Sequence, residues 1–324
     1  MNEYQSQLND LPNELLNDIF IYFDARELFE IFYNINSRFN KLVQSFNHLQ
    51  LIFHIKTSND SETNGKIFSS YVYTLIIDRG INVNLTQFPN VRRLYLINPL
   101  QEVCTQLTSD VMPYLEHLSI SVANHLTIGI LLEKIFSNYF PKLISCELLK
   151  IRTAKTIQNW TQIPLLKVLK MTLMNSHVYA AILSACPNLY FFKFSMLTRD
   201  EPLSIIQLHT NLKHMIINDR HNEWPNNSHI ISSFLACVPN LEYLSVHRIF
   251  YLSNVTKYLY SYDWLASIIA DHLPLLKQFK FYFHVWNDGI VITSNLKNIL
   301  CKIQNNFINT HKRQYKARLI IDQK

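Results

Sequence analysis

The sequence predicts an α/β chain in which a short helical segment precedes a repetitive array of strands and helices. Three observations predict it. From Phe88 onward one phrase recurs, a turn residue, usually Pro, followed by apolar residues two, five and seven positions later. Stretches of helical periodicity separate the copies. The 324-residue chain also opens on a run, Leu8 to Leu42, whose apolar residues return at helical rather than strand spacing. This length allows one or two domains with a sizeable core. The expected division is a helical domain over residues 1–55 and the array over 56–324.

In the opening run Pro12 suits the first helical position, where a missing N–H costs nothing, and Leu15, Leu16, Ile19, Phe20 and Phe23 then fall on one face. Asp24 and Glu27 have the spacing of a capping box and open a second helix striped by Leu28, Ile31 and Phe32. Ile35, Phe39, Leu42 and Phe46 continue the pattern into a third. A unit of under about 50 residues buries too little surface to stand alone, so these helices are expected to need a partner.

The array reads in register. Pro89 leads Val91, Leu94 and Leu96; Pro113 leads Leu115, Leu118 and Ile120; Pro141 leads Leu143, Cys146 and Leu148; Pro164 leads Leu166, Leu169 and Met171. Pro187 leads Leu189, Phe192 and Phe194; Thr210 leads Leu212, Met215 and Ile217; Pro239 leads Leu241, Leu244 and Val246; Pro274 leads Leu276, Phe279 and Phe281. Successive leads stand 24, 28, 23, 23, 23, 29 and 35 residues apart. Val72, Leu75 and Ile77 read as a degenerate first copy, and Arg318 to Ile321 as a last strand. In each copy the fifth and seventh residues share the inward side of a short strand while the fourth, sixth and eighth face out. A Pro just ahead of a strand donates no ladder bond and does little harm there. His125 to Phe140, Ser228 to Val238 and Tyr262 to Leu273 carry helical patterns, so parallel strands joined by helical crossovers are expected, stacked because no copy can bury its apolar face alone.

Two resemblances follow from these residues. Leu11, Pro12, Asn13, Glu14, Leu15 and Leu16, with Ile19, Phe20, Tyr22 and Leu28 behind them, resemble the F-box, whose Leu-Pro-x-Glu-Leu-Leu start is followed by Ile-Phe-x-Tyr. Asn36 stands near a common Cys of that family, and the apolar run Leu49, Leu51, Ile52, Phe53 takes the place of its Trp. The resemblance implies a three-helix module that grips the Skp-type adaptor, and through it the cullin, of a Skp-cullin-F-box ubiquitin ligase. It implies adaptor-binding roles for Leu11, Pro12, Leu15, Leu16, Ile19, Phe20, Leu28, Phe32 and Leu42. The later array, with most intervals close to the roughly 20–29 residues of leucine-rich repeats, looks like an irregular member of that class. That implies a curved solenoid with strands on the concave face and helices outside. The Asn of the usual tight turn is lacking, so irregular loops are expected.

Composition narrows the chemistry. Residues 1–50 hold three Lys/Arg against seven Asp/Glu, a balance of −4, so with a net charge of +6 the remainder carries +10; those cations are scattered, so nucleic-acid binding is not indicated. No apolar stretch approaches the roughly 18 residues of a membrane span, and Met1 to Asp10 lacks a basic-then-apolar leader, so a cytoplasmic or nuclear protein without membrane association is expected. The four glycines stand far apart and offer no phosphate cradle, and no cofactor is expected. Five widely spaced cysteines read as free thiols. The best metal candidate, His209, His214, Asp219, His221, Glu223 and His229, has no standard spacing and reads better as a loop between repeats. Lys312, Arg313, Lys316 and Arg318 read as a solvated chain end or, less favoured, a nuclear-import patch.

The outward strand positions remain. Arg93, Tyr95, Lys170, Phe191, Lys193, Tyr243 and Lys280 are the candidate target-binding residues, with His214, His247 and Tyr282 continuing their aromatic and basic character. The expected function is a non-catalytic receptor for an unknown protein substrate, whose lysines favour an acidic or phosphorylated segment. The alternative is a non-catalytic repeat scaffold whose N-terminal helices only cap the array.

Overall fold

A computed structural model describes residues 8–44, 51–61, 67–121, 128–152, 160–173, 175–195, 207–219, 228–251, 263–286, 298, 301–302, 305, 307, 309 and 316–323. Phe46, Leu49, His221, Glu223, Lys312 and Arg313 lie outside the described residues. The chain is α/β and divides into two compact units, Met1–Thr127 with Tyr139–Leu143, and Ile128–Asn138 with Ile144–Lys324.

The first unit opens with α1 (Asn13–Phe20), α2 (Ala25–Phe32) and α3 (Ser37–Gln44). The capping box forms, with Glu27 N–H donating to Asp24 Oδ1 at 2.8 Å and Asp24 N–H to Glu27 Oε2 at 3.0 Å. Asn34, at φ 70, turns the chain out of α2, a conformation that Asn tolerates better than most side chains. Phe20, Phe32 and Phe39 bring one ring from each helix together, with centroids 4.6, 5.8 and 6.2 Å apart.

Four strands follow, β1 (Ile52–Ile55), β2 (Thr74–Ile77), β3 (Arg93–Ile97) and β4 (His117–Ser121), paired in parallel in chain order, with α4 (Gln101–Gln106) after β3. Ile52 and Phe53 therefore belong to a strand rather than to the end of a helical module. The expected boundary at residue 55 does not coincide with a break between compact units. Phe29 of α2 lies 5.2 Å from the Tyr71 ring and 6.4 Å from Phe68, which meets Phe53 of β1 edge-on at 5.1 Å. Arg26 lies over the Phe53 ring and holds both Asp60 Oδ1 and the Asp60 carbonyl at 2.8 Å. The partner that the helices needed includes the start of the sheet.

The second unit comprises α5 (Ile128–Phe136), β5 (Ser145–Arg152), β6 (Val168–Leu173), α6 (Ser176–Ala185), β7 (Phe191–Ser195), β8 (His214–Asp219), α7 (Ser228–Ala236), β9 (Tyr243–Tyr251), α8 (Asp263–His272), β10 (Gln278–Trp286) and β11 (Lys316–Gln323). Its seven strands pair in parallel, in chain order. The register aligns the fourth position after each lead: Val168, Phe191, His214, Tyr243, Gln278 and Lys316 are successive partners. The inward residues of all eight copies, and Val72, Leu75 and Ile77, are buried. Helices cover that face in the second unit. Tyr179 of α6 packs on Phe192 and Phe194 of β7, stacks on Phe234 of α7 at 4.3 Å, and donates its hydroxyl to the Phe234 carbonyl at 2.8 Å. Ser232 of α7 and His272 of α8 are joined at 2.8 Å.

The structure reveals a repeat signal that the apolar phrase concealed. The residue just after the lead is Asn in four copies, and its amide N–H donates to the lead carbonyl of the copy before: Asn90 to Ser70, Asn188 to Pro164, Asn211 to Pro187 and Asn240 to Thr210, at 2.7 to 3.1 Å. The third residue's carbonyl then accepts two successive N–H groups of the next copy, as Lys167 does from Tyr190 and Phe191. Both contacts satisfy backbone carbonyls where these strands begin.

Candidate interaction surfaces

On the helical segment the expected adaptor-binding residues divide into two sets. Leu16, Phe20, Leu28, Phe32 and Leu42 are buried and form the core that holds the helices to one another. A partner cannot reach them while the helices stay folded, so the single stripe read from the sequence is really two faces. Leu11, Pro12, Leu15 and Ile19 are exposed or half-buried, and Leu15 is 48% exposed beside Ile21 (61%), Tyr22 (84%), Ile31 (48%) and Ile35 (51%). Five large apolar side chains left in water on about twenty residues are a conspicuous patch. Its leading edge is fixed by Arg38, whose guanidinium donates to the carbonyls of Asn9 and Leu11 and to Asn13 Oδ1. Ile21, Ile31 and Ile35 were absent from the expected set because only packing decides which flank of a short helix turns inward.

On the strands, the outward positions form an open sheet face. Arg93 and Tyr95 belong to the first unit, where Arg93 lies over the Tyr73 ring and Tyr95 packs on His117. Lys170 is paired with Glu147 at 3.4 Å. Phe191, Lys193, Tyr243 and Lys280 all stand half-buried on the outward side of β7, β9 and β10 in the second unit.

Cross-strand alignment adds what composition could not show. His214 stacks on Tyr243 at 4.2 Å with 12° between planes, and the Tyr190 hydroxyl lies 2.8 Å from His214 Nε2. Four positions further along the strands, His247 stacks on Tyr282 at 4.1 Å and 7°, with His284 at 3.4 Å from His247 Nδ1. Burial, then the neighbouring His284 and Lys193, pushes the His247 imidazole down to about 4, so it is neutral at physiological pH. Burial also lowers His214, against the opposing pull of Glu242. Ser245, between the two stacks, and His284 were missing from the expected set; only the register singles them out.

His209 is buried, with Nε2 at 2.8 Å from the Cys186 carbonyl and Nδ1 accepting from Leu212 N–H at 3.2 Å, so both ring nitrogens are engaged by the backbone. Among the described residues no group of three or more His, Cys, Asp or Glu side chains is placed to hold a metal ion. Cys104, Cys146, Cys186 and Cys237 are buried and Cys301 is exposed. Burial pushes the Cys186 thiol up to about 12 and Cys237 to about 11, away from nucleophilic thiolate. No helix among the described residues is long and apolar enough to cross a membrane. No protein-family model matches the chain, and no curated protein matches it significantly.

Proposed function

We propose that the chain is a substrate-recognition subunit of a Skp-cullin-F-box ubiquitin ligase, working in the cytoplasm or nucleus. Its N-terminal helices, an F-box, grip the Skp-type adaptor. Its strand–helix array, a leucine-rich-repeat-like solenoid, presents the target protein on the open sheet face, without catalytic residues of its own. The observation that carries this reading is the patch of Leu15, Ile21, Tyr22, Ile31 and Ile35, exposed although the helices already possess a core. The capping-scaffold alternative has its own support in the seating of α2 against Phe68 and Tyr71. A cap, however, has no use for the outer patch.

Co-purification with the adaptor tests the proposal. Deletion of the helices is the wrong perturbation, because it would uncover Phe53, Phe68 and Tyr71. Leu15→Asp with Ile19→Asp is the right one. A carboxylate buried against an apolar partner costs several kcal/mol, enough to erase a micromolar affinity of about 8 kcal/mol. Loss of the complex with an unchanged melting temperature is expected. Undiminished adaptor capture, or none by the unmodified chain, refutes the receptor reading.

A further inference from the structure

We infer that the free edge of β11 pairs antiparallel with the β11 of a second copy of this chain, about a two-fold axis through Ile320, setting Arg318 of each copy opposite Asp322 of the other. The inference goes beyond the receptor reading and does not rest on it.

The backbone leaves this edge open. β11 closes the parallel order and, among the described residues, pairs with β10 alone. Lys316 N–H donates to the Lys277 carbonyl at 3.1 Å, so the even-numbered residues of β11 turn their backbone groups toward β10. Backbone groups alternate sides along a strand, which turns those of Ala317, Leu319, Ile321 and Gln323 to the free side. A row of such donors and acceptors on an eight-residue strand is a template for one more strand. β1, at the other end of the strand order, spans four residues and holds no carboxylate, so it offers no comparable match.

The sequence of β11 complements itself. With the axis at Ile320, Leu319 falls opposite Ile321 of the other copy and Ala317 opposite Gln323, so the residues facing the free side meet as hydrogen-bonded pairs. Arg318 and Asp322 then meet as the closer, non-hydrogen-bonded kind of pair, with Cα atoms about 4.5 Å apart and both positions on one face. Symmetry forms that pair twice, on either side of Ile320 set against its own counterpart. Moving the axis to Leu319 or to Ile321 sets Ile320 opposite a charged residue instead, Arg318 or Asp322.

Charge within one chain favours the same occupant. Lys280 and Arg318 are register partners at outward positions of β10 and β11, two cations side by side. Like charges directly opposite one another destabilise a sheet, and a carboxylate from a second copy offsets them. Arg318 is exposed, and so within reach from outside the chain.

The test is sedimentation velocity of the full chain between about 1 and 100 μM, the range of a small interface of modest affinity. Association that rises with concentration and stops at the dimer is expected, because a two-fold contact closes on itself. Arg318→Asp and Asp322→Arg each set like charges opposite one another at both symmetric pairs. Each should move dimerisation to at least about tenfold higher concentration. The double variant exchanges the charges and should restore the dimer. An equimolar mixture of the two single variants should dimerise as well, since each supplies the charge that the other lacks. A monomer throughout the range, association past the dimer, a dimer retained by both single variants, or no recovery in the double variant and the mixture overturns the inference.

Discussion

Truncating Leu169 to alanine probes the inward register at a position with no room to relax. Leu169 is fully buried on β6, between register partners Cys146 on β5 and Phe192 on β7, both fully buried. Buried Leu-to-Ala changes cost about 2–5 kcal/mol, the transfer energy of the lost methyls plus the cavity left behind. Hydrogen-bonded strands on both sides resist collapse, which places this one at about 3–4 kcal/mol. One residue on, Lys170→Ala removes a side chain that is 37% exposed and an ion pair with Glu147 at 3.4 Å. Such a pair contributes about 0.2–1 kcal/mol. Urea unfolding reports the difference through tryptophan fluorescence, since Trp160 stacks on Phe136 at 4.0 Å within the same unit. With a slope of about 2–3 kcal/mol per molar, Leu169→Ala should lower the midpoint by about 1 M or more and Lys170→Ala by less than about 0.5 M. Equal shifts, or the reverse order, would show that the assignment of inward and outward residues is wrong.

Tyr179→Phe keeps the ring stack on Phe234 but removes the buried hydroxyl that donates to its carbonyl, so the same assay should show a loss of about 1–2 kcal/mol; no loss would mean that the bond contributes nothing. His209→Leu orphans the Cys186 carbonyl and the Leu212 N–H together and should destabilise the second unit by about 2 kcal/mol or more, with added zinc making no difference to the unmodified chain. Asp60 gives a pH test of the first unit. Burial alone would raise its carboxyl, but the Thr57 hydroxyl, Arg26 and the N–H groups of Thr57 and Lys56 hold it at about 2, below the ordinary 3.8. A depressed carboxylate stabilises the fold above its ordinary value and loses that contribution as pH falls through about 2. Asp60→Asn should therefore melt lower than the unmodified chain at pH 7, by circular dichroism, with the gap closing between about pH 4 and pH 2. A constant gap across that window would assign the effect to shape rather than charge.

The apolar phrase made the strands legible because burial on one side of a parallel strand imposes a spacing that survives variation in everything else. Leu94, Leu118, Leu169 and Phe279 all stand where the Pro-led register puts them. The short helices were less legible. Leu15 and Leu16 are both apolar neighbours on α1, and nothing local says that Leu16 turns in while Leu15 turns out; the packing of Phe20, one turn on from Leu16, against Phe32 and Phe39 decides it. β1 was hidden for a different reason: Ile52 to Ile55 has no Pro lead and follows directly on helical sequence. At the candidate site single residues were visible but their company was not. The partnering of His214 with Tyr243, or His247 with Tyr282, depends on strands separated by 29 and 35 residues in the chain, and sequence distance carries no trace of lateral distance.

In the four copies that have it, the asparagine contact ties the copy to its predecessor at the end where the strand begins, and this leaves the other end free to differ. The two longest intervals, 29 and 35 residues, follow Thr210 and Pro239, yet Tyr243 and Gln278 still start in step with the strands before them. The added length falls between strand starts that stay aligned. Such a chain can gain or lose residues along one margin of its sheet without disturbing the order of side chains in the middle. That margin is the place to graft a loop or an epitope, and the start of each strand is the place to leave untouched.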